Sequence, residues 1–343
     1  MTDAPLIPAF VNPGSGNSEK ARDALASTGR FDIREIEPDK LGDEIRQAIE
    51  GGAKRILVAG GDGTIGIGAA IVAGTDVELA VLPAGTLNHF ARDMNIPVDL
   101  PEAAGLAAGN STVLSDVAYI GDKLFLNTSS IGAYVTFARV RERLEARLPY
   151  KLASILAMLS TFVRMRVIAV ELEIEGKAQV YRTPLVFIGV DERELQFPTL
   201  GNRVENGRSG LHVMVVRWRG KGKLLSVAAT AIFRGVDEVS RTVEFDSYIV
   251  DRCTISIKKP LARVARDGEI ESMSTPLEYR IERGVLRVVA ETVVAETLDA
   301  DADGATALAS GDAGSHAIPT AVDGYNAATL APERADTDGP KLT

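Results

Sequence analysis

Arg55-Ile56-Leu57-Val58-Ala59-Gly60-Gly61-Asp62-Gly63-Thr64-Ile65 decides how the rest of the chain is read. Five residues dominated by β-formers end in a glycine pair, and an apolar helical pattern then runs from Ile65 to Ala73. A buried strand that feeds a helix through glycines is the unit of a parallel α/β sheet. Glycines let backbone N–H groups approach phosphate oxygens, and the N-terminus of the following helix favours negative charge. Thr64 adds a hydroxyl donor. Asp62 repels phosphate unless a cation lies between, so it points to Mg²⁺, held directly or through water.

The flanking segments repeat the pattern. Leu6 to Val11 reads as a strand, Ser18 to Ser27 as a helix, Phe31 to Ile36 as a strand and Leu41 to Glu50 as a helix. Glu78 to Leu82 reads as a fourth strand. Two more small-residue loops follow strands: Asn12-Pro13-Gly14-Ser15-Gly16 and Pro83-Ala84-Gly85-Thr86-Leu87-Asn88. Each alone is an ordinary turn. Three such loops after three strands of one parallel sheet would open on one edge, where ligands of α/β sheets bind.

From about Val113 the pattern changes to short strand-like runs, many alternating apolar and polar. These include Asp116 to Ile120, Lys123 to Ser129, Val167 to Ile174, Gln179 to Val190, Leu211 to Arg217 and Val243 to Tyr248. Arg252 to Ile257, Ala262 to Ala265, Leu277 to Ile281 and Val285 to Val289 complete them. The expected organisation is an α/β domain with a parallel sheet over 1–112 and a mainly antiparallel β domain over 113–292. Helical segments are expected at 133–166, broken at Pro149, and at Lys223 to Phe233. After Thr292 the chain turns to Ala, Asp, Gly, Thr and Pro without period, which reads as a disordered acidic tail over 293–343.

The chain has 343 residues, 45% hydrophobic and 25% charged, enough for two ordinary domains. Aromatics at 5% speak against a base-stacking nucleic-acid surface. Cys253 is the single cysteine, so no internal disulfide is available. MTDAPLIPAF lacks a basic start and a long apolar run. No stretch reaches the roughly 18 to 20 apolar residues of a membrane span. A cytoplasmic protein is the expectation. Most of the net charge of −9 lies in the tail, where nine acids from Glu296 to Asp338 face Arg334 and Lys341.

NPGSG at Asn12–Gly16, GGDGT at Gly60–Thr64, PAGTLNHFARD at Pro83–Asp93 and the late Asp267-Gly268-Glu269 together resemble the diacylglycerol kinase catalytic family. Within it the chain is similar to the soluble bacterial lipid kinases related to sphingosine kinases. The resemblance implies a nucleotide-binding α/β domain over 1–112, an antiparallel β-sandwich domain over 113–292 and a site between the two, with ATP on Asn12 to Gly16, Gly60 to Thr64, Thr86 and Asn88. It implies Asp267 as general base with Glu269 beside it, and Mg²⁺ at Asp62. A carboxylate that takes the proton of an alcohol is what such a transfer needs. By itself Asp267-Gly268 is a hairpin-turn signal.

Some positions depart from the family pattern. Gly66 and Ile67 stand where many relatives carry Asn and a small or acidic residue, and His89 where Asp is common. Glu205 to Gly210 lacks the acid pair of a structural Mg²⁺ site, and Gly189 to Arg193 differs from an Asn-rich turn. Basic residues from Arg139 to Arg166 flank LASILAMLSTFV, which suits peripheral membrane contact through 139–166 or a core helix with a solvated flank. The acceptor expected is a lipid hydroxyl. An NAD kinase and a non-catalytic nucleotide- or lipid-binding module are the other readings. The sequence is silent on oligomeric state, a homodimer among the options.

Overall fold

The computed structural model describes residues 5–133, 135, 140, 143–144, 156, 160, 166–195, 200–217 and 245–291. All of these fall in one compact unit, Met1–Val294. The expected helix at 223–233, most of 133–166 and the tail at 293–343 lie outside the described residues.

The first third alternates as expected. Strands β1 (Ile7–Val11), β2 (Phe31–Glu35), β3 (Arg55–Gly60) and β4 (Glu78–Pro83) are interleaved with helices α1 (Ser18–Thr28), α2 (Pro38–Glu50) and α3 (Asp62–Val72). The strands pair in parallel in the order β2-β1-β3-β4. In α2 the buried residues are Leu41 and Ile45, one turn apart, so a single stripe faces the sheet. Strands β3 and β4 are buried along nearly their whole length, the mark of a parallel sheet covered on both faces.

Two helices went unread in the sequence, α4 (His89–Asp93) and α5 (Leu100–Ala108). Helix α5 is short and alanine-rich, but its start is fixed by Asp99, whose side chain accepts from the Glu102 N–H.

Antiparallel strands follow: β5 (Thr112–Ile120), β6 (Lys123–Phe125), β7 (Thr128–Gly132), β8 (Ile168–Ile174), β9 (Lys177–Thr183), β10 (Leu185–Val190), β11 (Arg193–Leu195) and β12 (Leu200–Arg203). The remainder are β13 (Leu211–Val216), β14 (Phe245–Val250), β15 (Arg252–Ile257), β16 (Leu261–Arg266), β17 (Glu269–Ser274) and β18 (Leu277–Val289). Two expected strands are divided. Gln179 to Val190 breaks at Pro184, which has no N–H for a ladder. Lys123 to Ser129 breaks because a carboxylate, described below, takes the amides of Leu126, Asn127 and Thr128.

Two expected strands are instead one. Strand β18 runs unbroken, with a bulge between Glu282 and Leu286. It pairs with β15 through Leu277 to Arg280 and with β4 through Arg287 and Val288. The parallel sheet therefore continues into the antiparallel half as one ten-stranded sheet, β2-β1-β3-β4-β18-β15-β8-β9, with β5 and β6 on the other side of β18. A second sheet, β14-β13-β10-β7-β16-β17, packs on the antiparallel half. One hydrophobic core lies under α1 to α5 and another between the two sheets.

At the bulge of β18 the Gly284 N–H donates to Asp116, and the Asp116 carboxyl lies beside that of Asp191. Asp191 is buried and pairs with Arg203 at 2.5 Å. Burial, reinforced by the Asp116 charge and opposed by Arg203, pushes the Asp191 carboxyl up to about 6. Between the unfolded value near 4 and this folded value the native state binds the extra proton, so stability falls as pH rises through that window. The cost is fully present above it. Asp191→Asn removes the charge, and the half-exposed Arg203 regains water. The substitution is expected to stabilise the protein at pH 8 by about 1 to 2 kcal/mol and to flatten its stability between pH 4 and 6. Thermal unfolding of both proteins at pH 4, 6 and 8 checks this.

Candidate phosphoryl-transfer site

The registers Val11↔Ala59 and Gly60↔Pro83 place the ends of β1, β3 and β4 side by side. The three small-residue loops therefore open on one edge of the sheet, and hydrogen bonds lace them together. The Asn12 amide donates to the Thr64 hydroxyl at 2.9 Å, and its oxygen accepts from the Gly14 N–H at 2.9 Å. Asp62 Oδ1 accepts from the Phe90 N–H at 3.0 Å, tying the second loop to α4 of the third. Gly61 and Gly85 touch backbone to backbone: a side chain on Gly85 would begin 2.4 Å from the Gly61 Cα.

Asp62 is the first residue of α3 rather than part of a loop, and no side chain caps that helix. The leading N–H groups of α3 thus face the open edge with no protein acceptor of this kind, as an anion site requires. Gly63 is exposed there, and Thr64 is buried with its hydroxyl hydrogen still available after accepting from Asn12. Thr86 is exposed on the third loop. Asn88 is placed differently from a phosphate contact. Its side chain is buried and turned inward, accepting from the Gly85 N–H and donating to the carbonyls of Pro83 and Gly85. Asn88 is in the left-handed region at φ 52, which asparagine tolerates, so it shapes the loop.

Asp267 and Gly268 form the two-residue turn of the β16–β17 hairpin, with Arg266 opposite Glu269. Both have positive φ, 45° and 90°, as a type I′ turn demands. The hairpin signal in the sequence and the carboxylates it presents thus belong to one structure. The Asp267 carboxylate accepts from the N–H groups of Leu126 at 2.7 Å, Asn127 at 2.9 Å and Thr128 at 3.0 Å, and its own N–H donates to the Thr128 carbonyl. Burial raises the Asp267 pKa; the three N–H donors and Arg266 oppose that rise.

A carboxylate has about four acceptor positions. Oδ1 takes two of the three bonds and Oδ2 one, which leaves a position on Oδ2. Arg266 grips the same segment from the other side by donating to the Leu124 carbonyl, and it also pairs with Glu271 at 2.8 Å.

Glu269 joins the two halves of the site. Its Oε1 lies 2.9 Å from where a side chain on Gly63 would begin, so the carboxylate turn of the second sheet sits over the first turn of α3. The Asp267-Gly268-Glu269 turn and the Gly60–Thr64 segment, some 200 residues apart in sequence, are neighbours. The amides of Leu126 to Thr128, the Phe90 amide and Arg266 were not singled out in the sequence. Backbone groups carry no side-chain signal, and only the position of Arg266 beside Asp267 could have drawn attention to it.

Asp62 keeps one carboxylate oxygen free of the Phe90 bond, and Glu269 is largely exposed beside the cradle. No group of three or more acidic, histidine or cysteine side chains among the described residues could hold a metal alone. Mg²⁺ bound by one or two carboxylates together with nucleotide phosphates fits this donor set.

A glycine cradle at the C-terminal edge of a parallel sheet, faced by a carboxylate turn from a second sheet, defines the class as an α/β protein built to handle phosphate groups. Residues 7–120, about a third of the chain, match the family model of the diacylglycerol kinase catalytic domain. It is 26% identical over 310 residues to a protein from Mycobacterium tuberculosis named diacylglycerol kinase, covering 82% of this chain and 94% of that one. It is 30% identical over 151 residues to a Cronobacter sakazakii protein named "Probable lipid kinase YegS-like", covering 43% of this chain and spanning 50% of that relative's length. A Bacillus anthracis crystal structure described as a diacylglycerol kinase shares the fold, with a TM-score of 0.58 at 17% identity over 85% of this chain and 98% of that one. A second structure from the same strain gives 0.62 at 21% identity over 84% and 98%. No helix among the described residues is long and apolar enough to cross a membrane.

Proposed function

We propose that this chain is an ATP- and Mg²⁺-dependent lipid kinase that transfers the γ-phosphoryl group to the hydroxyl of a diacylglycerol-like or sphingoid acceptor. The observation that carries this reading is the contact of Glu269 with Gly63, which puts the carboxylate turn at the mouth of the phosphate cradle. The N–H groups of α3, the Thr64 hydroxyl and the Asn12–Gly16 loop bind the phosphates. Mg²⁺, when bound, would neutralise phosphate charge, and Asp62, with the exposed Glu269 nearby, would be the protein carboxylate to hold it.

Asp267 Oδ2 takes the acceptor's hydroxyl proton. The acceptor oxygen then forms its bond to the γ-phosphorus, and the bond from that phosphorus to the bridging oxygen breaks. ADP departs with the electron pair. Asp267 suits the role because three N–H bonds fix its orientation and burial raises its pKa, which makes it a stronger base than an exposed aspartate. Family likeness supports a lipid as acceptor, and the relatives' names point to diacylglycerol.

The test is incubation with γ-labelled ATP, Mg²⁺ and a bacterial lipid extract, followed by solvent partition. Label in the organic phase supports the reading. ATP binding with no lipid label would remove it.

A further inference from the structure

The second sheet carries Asp267 and Glu269, so its orientation over the nucleotide edge sets where the acceptor meets the phosphate. The C-terminal ends of β10 and β16 and the start of β7 lie at one end of this sheet. Glu269 meets Gly63 at the β16 side of that end. At the β10 side a second attachment exists. Arg193, at the start of β11, forms an ion pair with Asp93 at 2.7 Å, and the two side chains are 3% and 13% exposed.

Asp93 ends α4, the short helix whose Phe90 amide holds Asp62. Arg193 is built in. It donates to the carbonyls of Val190 and Gly201, and its N–H donates to His212 Nδ1. A side chain on Gly189 would begin 2.6 Å from the Arg193 Cγ, so the arginine stem occupies the space that glycine leaves. Val190 and Asp267 both donate N–H bonds to the same short turn, at Asn127 and Thr128.

We propose that Arg193, through its buried pair with Asp93, is a positioning residue for phosphoryl transfer: it fixes the carboxylate-bearing sheet to the nucleotide loops at a second point. The inference rests on the lipid-kinase reading for its consequence in turnover. The core between the two sheets sets their gross placement. The Arg193–Asp93 pair, at the far side of the end that Glu269 marks, ties α4 itself to the carboxylate-bearing sheet. Positioning at this level governs rate because the reacting atoms must lie within a few tenths of an ångström. The nucleotide loops are laced to each other without Arg193, through Asn12–Thr64 and Asp62–Phe90. ATP affinity should therefore survive its loss.

The experiment compares wild type, Arg193→Met, Arg193→Lys and the exchange Asp93→Arg with Arg193→Asp. Arg193→Met is expected to lower kcat at least about tenfold with the ATP Kd changed less than about threefold. Arg193→Lys should recover part of kcat, since it keeps the charge but not the planar fork. Amide hydrogen exchange over 84–96 should quicken in Arg193→Met, because α4 loses its tether. An unchanged kcat in folded Arg193→Met, or exchange over 84–96 equal to wild type, would overturn the proposal; so would a parallel rise in Kd, which marks a defect in nucleotide binding. A wild type that phosphorylates no lipid would sink the functional reading instead, and the exchange measurement would still decide whether Arg193 tethers α4.

Discussion

Asp267→Asn is expected to lower kcat by about 10²- to 10⁴-fold, the range for loss of a positioned general base. The substitution also disturbs a scaffold. The carboxylate serves three N–H donors, and an amide offers one oxygen and one donor group. Whichever way the amide turns, at least one of Leu126, Asn127 and Thr128 loses its acceptor. A destabilisation of about 1 to 3 kcal/mol follows. These two effects separate in their pH dependence. In the wild type, kcat should fall as pH drops through the Asp267 pKa, which burial holds above the ordinary carboxylate value. In Asp267→Asn that acid limb should vanish from the residual activity. A residual rate that keeps the limb would mean that Asp267 only holds the turn and another group takes the proton. Steady-state kinetics between pH 5 and 9, with thermal unfolding alongside, make the comparison.

Gly85→Ala is expected to weaken ATP binding by about 10- to 100-fold and to destabilise the fold, while Gly61→Ala, at the other side of the same contact, should leave the folded stability nearly unchanged. The asymmetry is geometric. A methyl group on Gly85 would begin 2.4 Å from the Gly61 Cα and 2.9 Å from Asn88 Oδ1. Backbone cannot yield as a flexible side chain does, so the second and third loops must part. Overpacking of this kind costs typically 1 to 3 kcal/mol, and each 1.4 kcal/mol is tenfold in affinity. A methyl group on Gly61 would stand 3.5 Å from the Gly85 Cα, an ordinary contact. Thermal unfolding of both variants, with calorimetric titration of Gly85→Ala with an ATP analogue, checks the pair. Equal destabilisation would show that the loops are not held at this spacing.

The parallel half was legible in the sequence because each of its signals is local. Apolar runs such as Arg55 to Ala59 report burial on both faces, and glycines after each strand report the edge where backbone must come close. Asn12, the Gly60–Thr64 segment and Thr86 stand where the loop reading placed them, on one edge. What the sequence hid is non-local. That β18 carries the parallel sheet into the antiparallel half depends on pairing with β4 and β15, and a bulge at Gly284 looked like a strand break.

The inward turn of Asn88 and the divided strand at Leu126 to Thr128 come from hydrogen bonds that no spacing announces. In the second case the partner lies about 140 residues away. Asp267-Gly268 could be read as a turn or as a catalytic pair. The type I′ hairpin makes the turn the device that aims the carboxylates.

In the proposed reaction the terminal phosphoryl group of ATP passes to a lipid hydroxyl at this site. Its most direct test follows ATP labelled at the γ-phosphate, and in parallel at the α-phosphate, with diacylglycerol or sphingosine vesicles and free NAD in the same reaction. Transfer at this site gives γ-label, and no α-label, in a lipid phosphomonoester, with none in NAD and with the signal lost in Asp267→Asn. Label in NAD, or label released only as inorganic phosphate in the presence of lipid, would contradict it.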